Sequence, residues 1–338
     1  MNRHFSIPKN FEDSISAALA SYKLTLQDSK TLAKHVLTLS DYFIQNPEGM
    51  TPWHESSAQI AYLCYYLPLN AARLRAITIE GEKRGFFDGL EEVIDFGAGL
   101  ATASLCLAES QKLQYTLIET ASEPQKLIET YFKDFTAREW IRTFSAARLK
   151  NPRKTLALFS YSLTELADLP DWAYQCEALM IAEPSTQQDG RKLLQLRQKL
   201  LEKGYHVWAP CTHEGACPLL TQSKNDWCHD RIHFDAPPWF QKMEEQLPMK
   251  NRTLTMSYLL MRKTKPAAIK AARVVGDTLK EKGKDRQMIC QSPEREFLAW
   301  MHKAGIQQEI PRGVLIEMPE DLQKVSNELR VKSEIKIL

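Results

Sequence analysis

Val93-Ile94-Asp95-Phe96-Gly97-Ala98-Gly99-Leu100-Ala101 decides how the middle of this chain folds. A short apolar run stops at two glycines, and helix-like sequence follows from Thr102 to Ser110, which spells strand, tight turn, helix. Outward from it the alternation repeats. Tyr115 to Ile118 reads as a strand ending at Glu119. A helix follows from Ser122 to Phe135, with Ser122 as N-cap and Pro124 in its first turn. Residues 155–159 and 178–181 are continuous apolar strands, Asp189 to Lys203 is a helix closed by Gly204, and 206–209 and 254–261 are strands. Strands alternating with helices imply a parallel sheet covered on both faces, where strands are apolar throughout. Residues 90–263 are therefore expected to form an α/β, doubly wound domain, carrying a cysteine-rich insertion over 211–254. Residues 1–89 read as a helical region: Phe11, Ile15, Ala18 and Leu19 recur at helical spacing, as do Leu32, Val36, Leu37 and Phe43. One helix runs from Glu55 to Leu67 and is expected to stop at Pro68, another from Ala71 to Lys83, and Asn46-Pro47-Glu48-Gly49 is a turn. Residues 264–338 read as a small β-rich extension, with strands at 272–276 and 286–291 around Lys282-Gly283 and a charged, loose end from Ser326.

Asp95, Gly97, Ala98, Gly99 and Glu119 are the candidate cofactor residues. Glycines in such a loop let a ligand approach the backbone, and a carboxylate ending the next strand suits a ribose diol. Two ligands compete, a nicotinamide-type dinucleotide and S-adenosylmethionine. An acid just before the first glycine opposes a pyrophosphate but suits a cationic, phosphate-free ligand. The loop resembles the Asp-x-Gly-x-Gly-x-Gly loop of class I methyltransferases, with Ala101 in the third glycine position. An empty or vestigial pocket is the plainer alternative. No catalytic residue can be named: after strand 155–159 the chain reads Ser160-Tyr161-Ser162-Leu163-Thr164-Glu165-Leu166. The Asn/Asp-Pro-Pro-aromatic box that polarises a target amine and stacks on a flipped base is missing.

Cys211, Cys217 and Cys228 fall within eighteen residues, and Cys290 follows, with gaps of five, ten and sixty-one residues. Thiolates repel one another, so gathering them calls for a Zn ion or an iron–sulfur cluster. These spacings fit no standard finger, and unrelated cysteines on one loop remain the alternative. Cys64, Cys106 and Cys176 have apolar neighbours and read as small hydrophobes. An odd total of seven argues against a disulfide-stapled secreted fold. The start of the chain has no apolar signal region and no run long enough to span a membrane, so a reducing cytoplasm is the expected setting.

Net charge is only +2, but residues 262–286 hold nine cations against Asp277, Glu281 and Asp285. Lys280, Lys282, Lys284 and Arg286 lie around one turn and are the candidate RNA-binding residues, because such clusters displace counterions from a phosphate backbone. A solvated hairpin explains the same charges.

Several of these segments together resemble one family. They are Asp95-Phe-Gly97-Ala-Gly99, Tyr161 to Leu166, Glu183-Pro184 through Gly190 with Arg197, Ala209 to Pro218, Trp227-Cys228-His229, Ser257-Tyr258, and Ala272-Arg273 through Gly276 with Cys290. The family is the methyltransferase-like assembly factors of the mitochondrial small ribosomal subunit and their bacterial relatives (the Rsm group, number twenty-two of the yeast series), over roughly residues 55–300. The resemblance implies a class I methyltransferase fold, association with the small ribosomal subunit or its RNA, and a [4Fe–4S] cluster on Cys211, Cys217, Cys228 and Cys290. Zn is the alternative metal, and Cys217-Pro218 is similar to the Cys-Pro closing some ferredoxin runs. Two departures bear on the cofactor pocket and the cysteine segment: Ser185-Thr186 after Pro184, and Asp230 after Cys228-His229. An active RNA methyltransferase and a Zn-stabilised fold of unrelated role are the alternative functions. Oligomeric state has no sequence signal.

Overall fold

The computed structural model describes residues 3–46, 49–163, 166 and 168–338. Its strands, in chain order, are β1 His4–Phe5, β2 Glu92–Phe96, β3 Gln114–Ile118, β4 Glu139–Ile141, β5 Thr155–Ser160, β6 Ala178–Glu183, β7 His206–Ala209, β8 Asp230–Phe234, β9 Thr253–Arg262, β10 Ala271–Val274, β11 Leu279–Glu281, β12 Lys284–Cys290, β13 Glu296–Met301, β14 Leu315–Glu317, β15 Gln323–Val325 and β16 Glu328–Arg330. The principal helices are α1 Lys9–Ser21, α2 Ser29–Gln45, α3 Ser56–Ala61, α4 Leu67–Lys83, α5 Thr102–Ala108, α6 Glu123–Tyr131 and α7 Gln187–Glu202. The chain forms two compact units, one of Arg3–Ala182 with Ile232–Leu254, the other containing Glu183–Arg231 and Thr255–Leu338.

In the first unit five parallel strands run in the order β6-β5-β2-β3-β4. Leu156, Ala157, Leu158 and Phe159 of β5 are fully buried, as strands covered on both faces must be. The chain moves from β2 to β3 and β4 on one side, then returns to β5 and β6 on the other. The reversal lies between β2 and β5, and α/β sheets bind ligands at the carboxyl ends of strands at such a switch point. In the second unit β7 pairs antiparallel with β9. A parallel sheet with helical connections and an antiparallel strand pair is a mixed α/β architecture resembling class I methyltransferases.

The helical region obeys its apolar spacing: Phe11, Ile15, Ala18 and Leu19 are buried on α1, and Leu32 and Val36 on α2. Pro68 does not end a helix, contrary to expectation. It is the second residue of α4, which continues from a π-helical turn at Tyr62–Tyr66. Pro68 therefore sits inside a continuous run of helical backbone, directly after the turn where the hydrogen-bond register widens to i−5, with the Leu67 N–H on the Tyr62 carbonyl; such shifts accommodate a proline within a helix. Part of the turn expected at 46–49 lies outside the described residues.

The second unit ends in a small barrel. β10 pairs antiparallel with β12 and β14, β12 with β13, and β13 runs parallel to β16. The Glu317 amide donates to the Lys336 carbonyl at 3.0 Å and the Leu338 amide to that of Leu315 at 2.9 Å, returning the chain to β14 and closing the sheet. This is the strand order of the OB-fold barrel, which binds oligonucleotides on its second and third strands and through the loop joining the first two. The end from Ser326 is therefore not loose. Leu329, Val331 and Ile335 pack with Val274, Leu298 and Trp300 in the barrel core. The charges there mask an apolar alternation that only the barrel reveals.

Candidate functional site

Two sites emerge, one in each unit. In the first, the loop after β2 turns on Gly97 (φ +65°), Gly99 (φ +49°) and Ala101 (φ +49°). A Cβ on Gly97 would sit 2.8 Å from the Ser162 Cβ, and one on Gly99 would sit 3.3 Å from the Trp53 ring. Glycine at these positions thus lets Ser162 and Trp53 pack against the loop. The loop borders a cavity of about 690 Å³, lined by all five candidate cofactor residues, Asp95, Gly97, Ala98, Gly99 and Glu119, and sized for a nucleoside-bearing ligand. Glu119 accepts hydrogen bonds from the Gly99 amide (Oε2, 2.9 Å) and the Ala121 amide (Oε1, 2.9 Å), so one carboxylate ties two cavity loops together.

Asp95 is 1% exposed, and the Ser104 hydroxyl donates to its Oδ2 at 2.7 Å. Burial lifts its carboxyl from the ordinary 3.8 to about 7, against the pull of the Ser104 hydrogen bond, and the Glu119 charge adds to the rise.

Part of the cavity wall escaped the sequence reading. Met50, Thr51, Trp53, Tyr62 and Asn70 come from the helical region, and Phe144 and Trp172 from the segments around β5. Phe144 and Trp172 pack edge to face at 4.9 Å, and Trp172 stacks on Phe159. The only advance signal is the Trp53-His54 pair beside a turn. Tyr161 ends β5 at φ +58° and also lines the cavity. Thr164 and Glu165 of the same segment lie outside the described residues.

The second site lies in the other unit. Cys211, Cys217, Cys228 and Cys290 line one small cavity with Leu194, Met288 and Arg295. The elements around it are braced by residues of the family pattern. Thr212 Oγ1 donates to the Cys290 carbonyl at 2.9 Å, Ser257 Oγ to that of Cys228 at 2.8 Å, and Arg273 Nε to that of Pro210 at 2.9 Å. Trp227 Nε1 donates to the Ser185 carbonyl at 2.7 Å, and Gly190 makes room for that ring, since a Cβ there would meet it at 2.6 Å. Burial pushes up the thiols of Cys217, Cys228 and Cys290, and the Cys211 sulfur adds to each rise. Arg197, on α7, is 1% exposed and donates Nη2 to the His213 carbonyl at 2.6 Å. Burial pulls its guanidinium down, but the cysteines together outweigh that, Cys211 foremost, and hold it above its ordinary value. Burial, then the Arg197 charge, lowers His213 to about 4, and its Nε2 lies 3.4 Å from Cys290 Sγ.

Among the described residues, no group of three or more His, Cys, Asp or Glu side chains is arranged to hold a metal ion. The shared cavity is thus the full extent to which the expected metal ligands meet. Cys64, Cys106 and Cys176 are buried, with sulfurs against the carbonyls of Ala61, Ala71 and Trp172.

The basic stretch is less cationic than its sequence. Arg273 is buried, and Arg262 lies over the Trp208 ring at 5.3 Å. Lys284 and Arg286 are half-buried and both pair with Glu281 and Glu328. Glu328 arrives on β16, from forty residues further along the chain, which is why a local charge count missed it. Lys280 and Lys282 remain exposed, on the segment joining β10 to β12, the first two strands of the barrel.

Fold and cavity define an α/β protein with a ligand-sized cavity at the switch point of its parallel sheet. The chain belongs to the family described as mitochondrial small ribosomal subunit Rsm22, which matches residues 56–303. That description names a mitochondrial subunit, which qualifies the expected cytoplasmic setting. Among the described residues no helix is long and apolar enough to cross a membrane. No curated protein matches. Among solved structures, a Pyrococcus horikoshii protein provisionally assigned as an RNA methyltransferase gives a TM-score of 0.36 at 14% identity, over 57% of this chain and 81% of that one. The precorrin-6y C5,15-methyltransferase of Geobacter metallireducens gives 0.35 at 13% identity, over 56% and 87%. M. capricolum TrmK with S-adenosyl-homocysteine gives 0.32 at 11% identity, over 57% and 69%.

Asp95 makes a pH prediction. Between about pH 4 and 7 the folded protein keeps a proton on Asp95 that the unfolded chain has lost, so this group makes stability fall as pH rises through that window. Asp95→Asn removes the effect, which is on the order of 4 kcal/mol. Urea unfolding at pH 5 and pH 8 should show wild type losing stability relative to the variant. Parallel pH profiles for the two proteins would rule the shift out.

Proposed function

We propose that this protein is a small-ribosomal-subunit-associated, methyltransferase-like protein that contacts ribosomal RNA, carries a [4Fe–4S] cluster and binds S-adenosylmethionine or its demethylated product. The observation that carries the reading is that three clustered cysteines and Cys290, far along the chain, line one cavity in a chain of this family. Its setting is a reducing compartment, the cytoplasm or the mitochondrial interior named by the family description. In sequence terms, 90–263 supplies the cofactor fold and most of the cysteine ligands, and 264–338 supplies the RNA contact and the last ligand.

Cys211, Cys217, Cys228 and Cys290 would hold the cluster. A single Zn ion needs its sulfurs at about 2.3 Å, and no described group is arranged that way. A Zn ion on the same four cysteines is the alternative, and the Cys217-Pro218 step, similar to the Cys-Pro that closes some ferredoxin runs, favours iron. The thiols, lifted by burial, stay protonated without a metal, so loading releases protons and adds its binding energy to folding. When bound, the cluster supplies a structural tie between segment 211–228 and β12. Cys290→Ser should lose iron and become protease-sensitive near residues 211–228, while Cys106→Ser keeps wild-type iron. A full complement of iron in Cys290→Ser, by metal analysis after anaerobic purification, would remove that cysteine from the ligand set.

The cavity at the β2/β5 switch point suits S-adenosylmethionine. Gly97 and Gly99 bring backbone to its lining, and Asp95 and Glu119 bring carboxyl groups suited to a cationic ligand, with Arg142 also on the wall. Gly97→Arg should abolish binding in calorimetry. A well-folded wild type that takes up neither S-adenosylmethionine nor its product would mark the cavity as vestigial. Methyl transfer to RNA is a second reading, favoured by the left-handed backbone of Tyr161 at the cavity, a conformation that costs energy and clusters at functional sites.

For RNA, OB-type barrels bind nucleic acid through the loop joining their first two strands, and here that loop carries Lys280 and Lys282. The fold contributes analogy only; the exposed charges contribute the physics. Lys280→Glu with Lys282→Glu should weaken binding to small-subunit RNA and lower the slope of log affinity against log salt by roughly 0.7 to 0.9 per lost contact. Iron content should not change. Lys284→Glu would instead break a pair with Glu328 and read mainly as lost stability. Wild-type affinity and slope in the double variant would move the RNA surface off this loop.

A further inference from the structure

Arg197 is a buried cation whose visible partners do not account for it. Arginine is almost never fully buried unless paired, and this one is 1% exposed. Nη2 donates to the His213 carbonyl; Nε and Nη1 are buried with no partner at hydrogen-bond distance, and beyond that carbonyl the group the guanidinium leans on is the Cys211 sulfur. The charged groups that act on the guanidinium are sulfurs, Cys211 first, then Cys217 and Cys290. A neutral thiol is a weak acceptor. A thiolate-ligated cluster is a strong one, net negative and more so after gaining an electron.

We infer that Arg197 is the built-in counter-charge of the cysteine site, a positioning residue whose fixed positive charge retains the cluster and favours its reduced state. The inference rests on the cluster reading above. The guanidinium suits the part better than an ammonium: it stays charged when buried, and its planar fork can spend one donor on the His213 carbonyl while keeping others for sulfur. That carbonyl belongs to the residue whose ring lies 3.4 Å from Cys290 Sγ, so the anchor holds the guanidinium beside a proposed ligand. A fixed charge in a dry interior acts far more strongly than in water, and cluster potentials respond to net charge and to hydrogen bonds at the sulfurs.

The test reconstitutes wild type, Arg197→Lys, Arg197→Gln and Arg197→Met anaerobically with ferrous iron and sulfide. Iron and sulfide content are measured, then the reduced cluster is followed by electron paramagnetic resonance across a mediated potential titration. Circular dichroism checks that each variant is folded. Arg197→Lys, which keeps the charge, should load and titrate close to wild type. Arg197→Gln, which keeps a donor for the His213 carbonyl without the charge, and Arg197→Met should load less. In whatever cluster they hold, the reduced-to-oxidised ratio at a given potential should be at least tenfold lower, a shift of 59 mV for one electron. Arg197→Gln matching wild type in loading and potential would reduce the residue to a hydrogen-bond anchor. Failure of Arg197→Lys alongside Arg197→Gln would overturn the inference too, since charge would then not be the property that matters. If wild type itself takes up no iron and sulfide, the cluster reading falls first and takes this inference with it.

Discussion

Two-sided burial of parallel strands is the constraint from which the first unit follows. A strand such as β5, with four consecutive residues shut off from water, has to be covered by helices on both faces. Each connection then returns over the sheet, and the loops at the strands' carboxyl ends are left at the rim. Reversal of the chain's direction between β2 and β5 opens a crevice there. The glycine turn, the Glu119 carboxylate that ties two loops, and the left-handed Tyr161 are all local answers to that geometry. Asp95 shows its cost, since a carboxyl held at the end of a fully covered strand loses its hydration and keeps its proton to about pH 7.

Charge without water organises the cysteine site as well. Four sulfurs line a cavity, three of their thiols are pushed up by burial, and a guanidinium with two unpartnered nitrogens is buried within their electrostatic reach. Each side is costly alone. An unpaired buried cation and a set of crowded thiols become favourable together only when the sulfurs carry negative charge, which a bound metal centre brings about. The motif residues that do not touch this cavity, Trp227, Ser257 and Arg273, donate to backbone carbonyls of the segments that carry the cysteines. Most of what makes the family pattern recognisable here is therefore framing around one site.

The glycine loop and the strand–helix alternation could be read directly because each is a local pattern tied to a local need. Failures came where a residue's role depends on partners far along the chain. Pro68 reads as a helix stop, but the π-helical turn before it shifts the hydrogen-bond register and the helix runs on through it. Lys284 and Arg286 read as a phosphate-binding pair until β16 delivers Glu328 between them. Trp53 and Tyr62 read as parts of a helical region, and become a cavity wall only when folded over the glycine loop.

By itself the sequence determined the parallel α/β core and the glycine turn after its first strand. Periodicity and glycine act within a few residues of themselves. Only the tertiary structure decided which cations stay exposed, that the C-terminal strands close into a barrel with Leu329, Val331 and Ile335 inside it, and that Arg197 is buried where cysteine sulfurs act on it. Those outcomes depend on which distant segments share a core, because burial and electrostatic pairing are properties of neighbours in space.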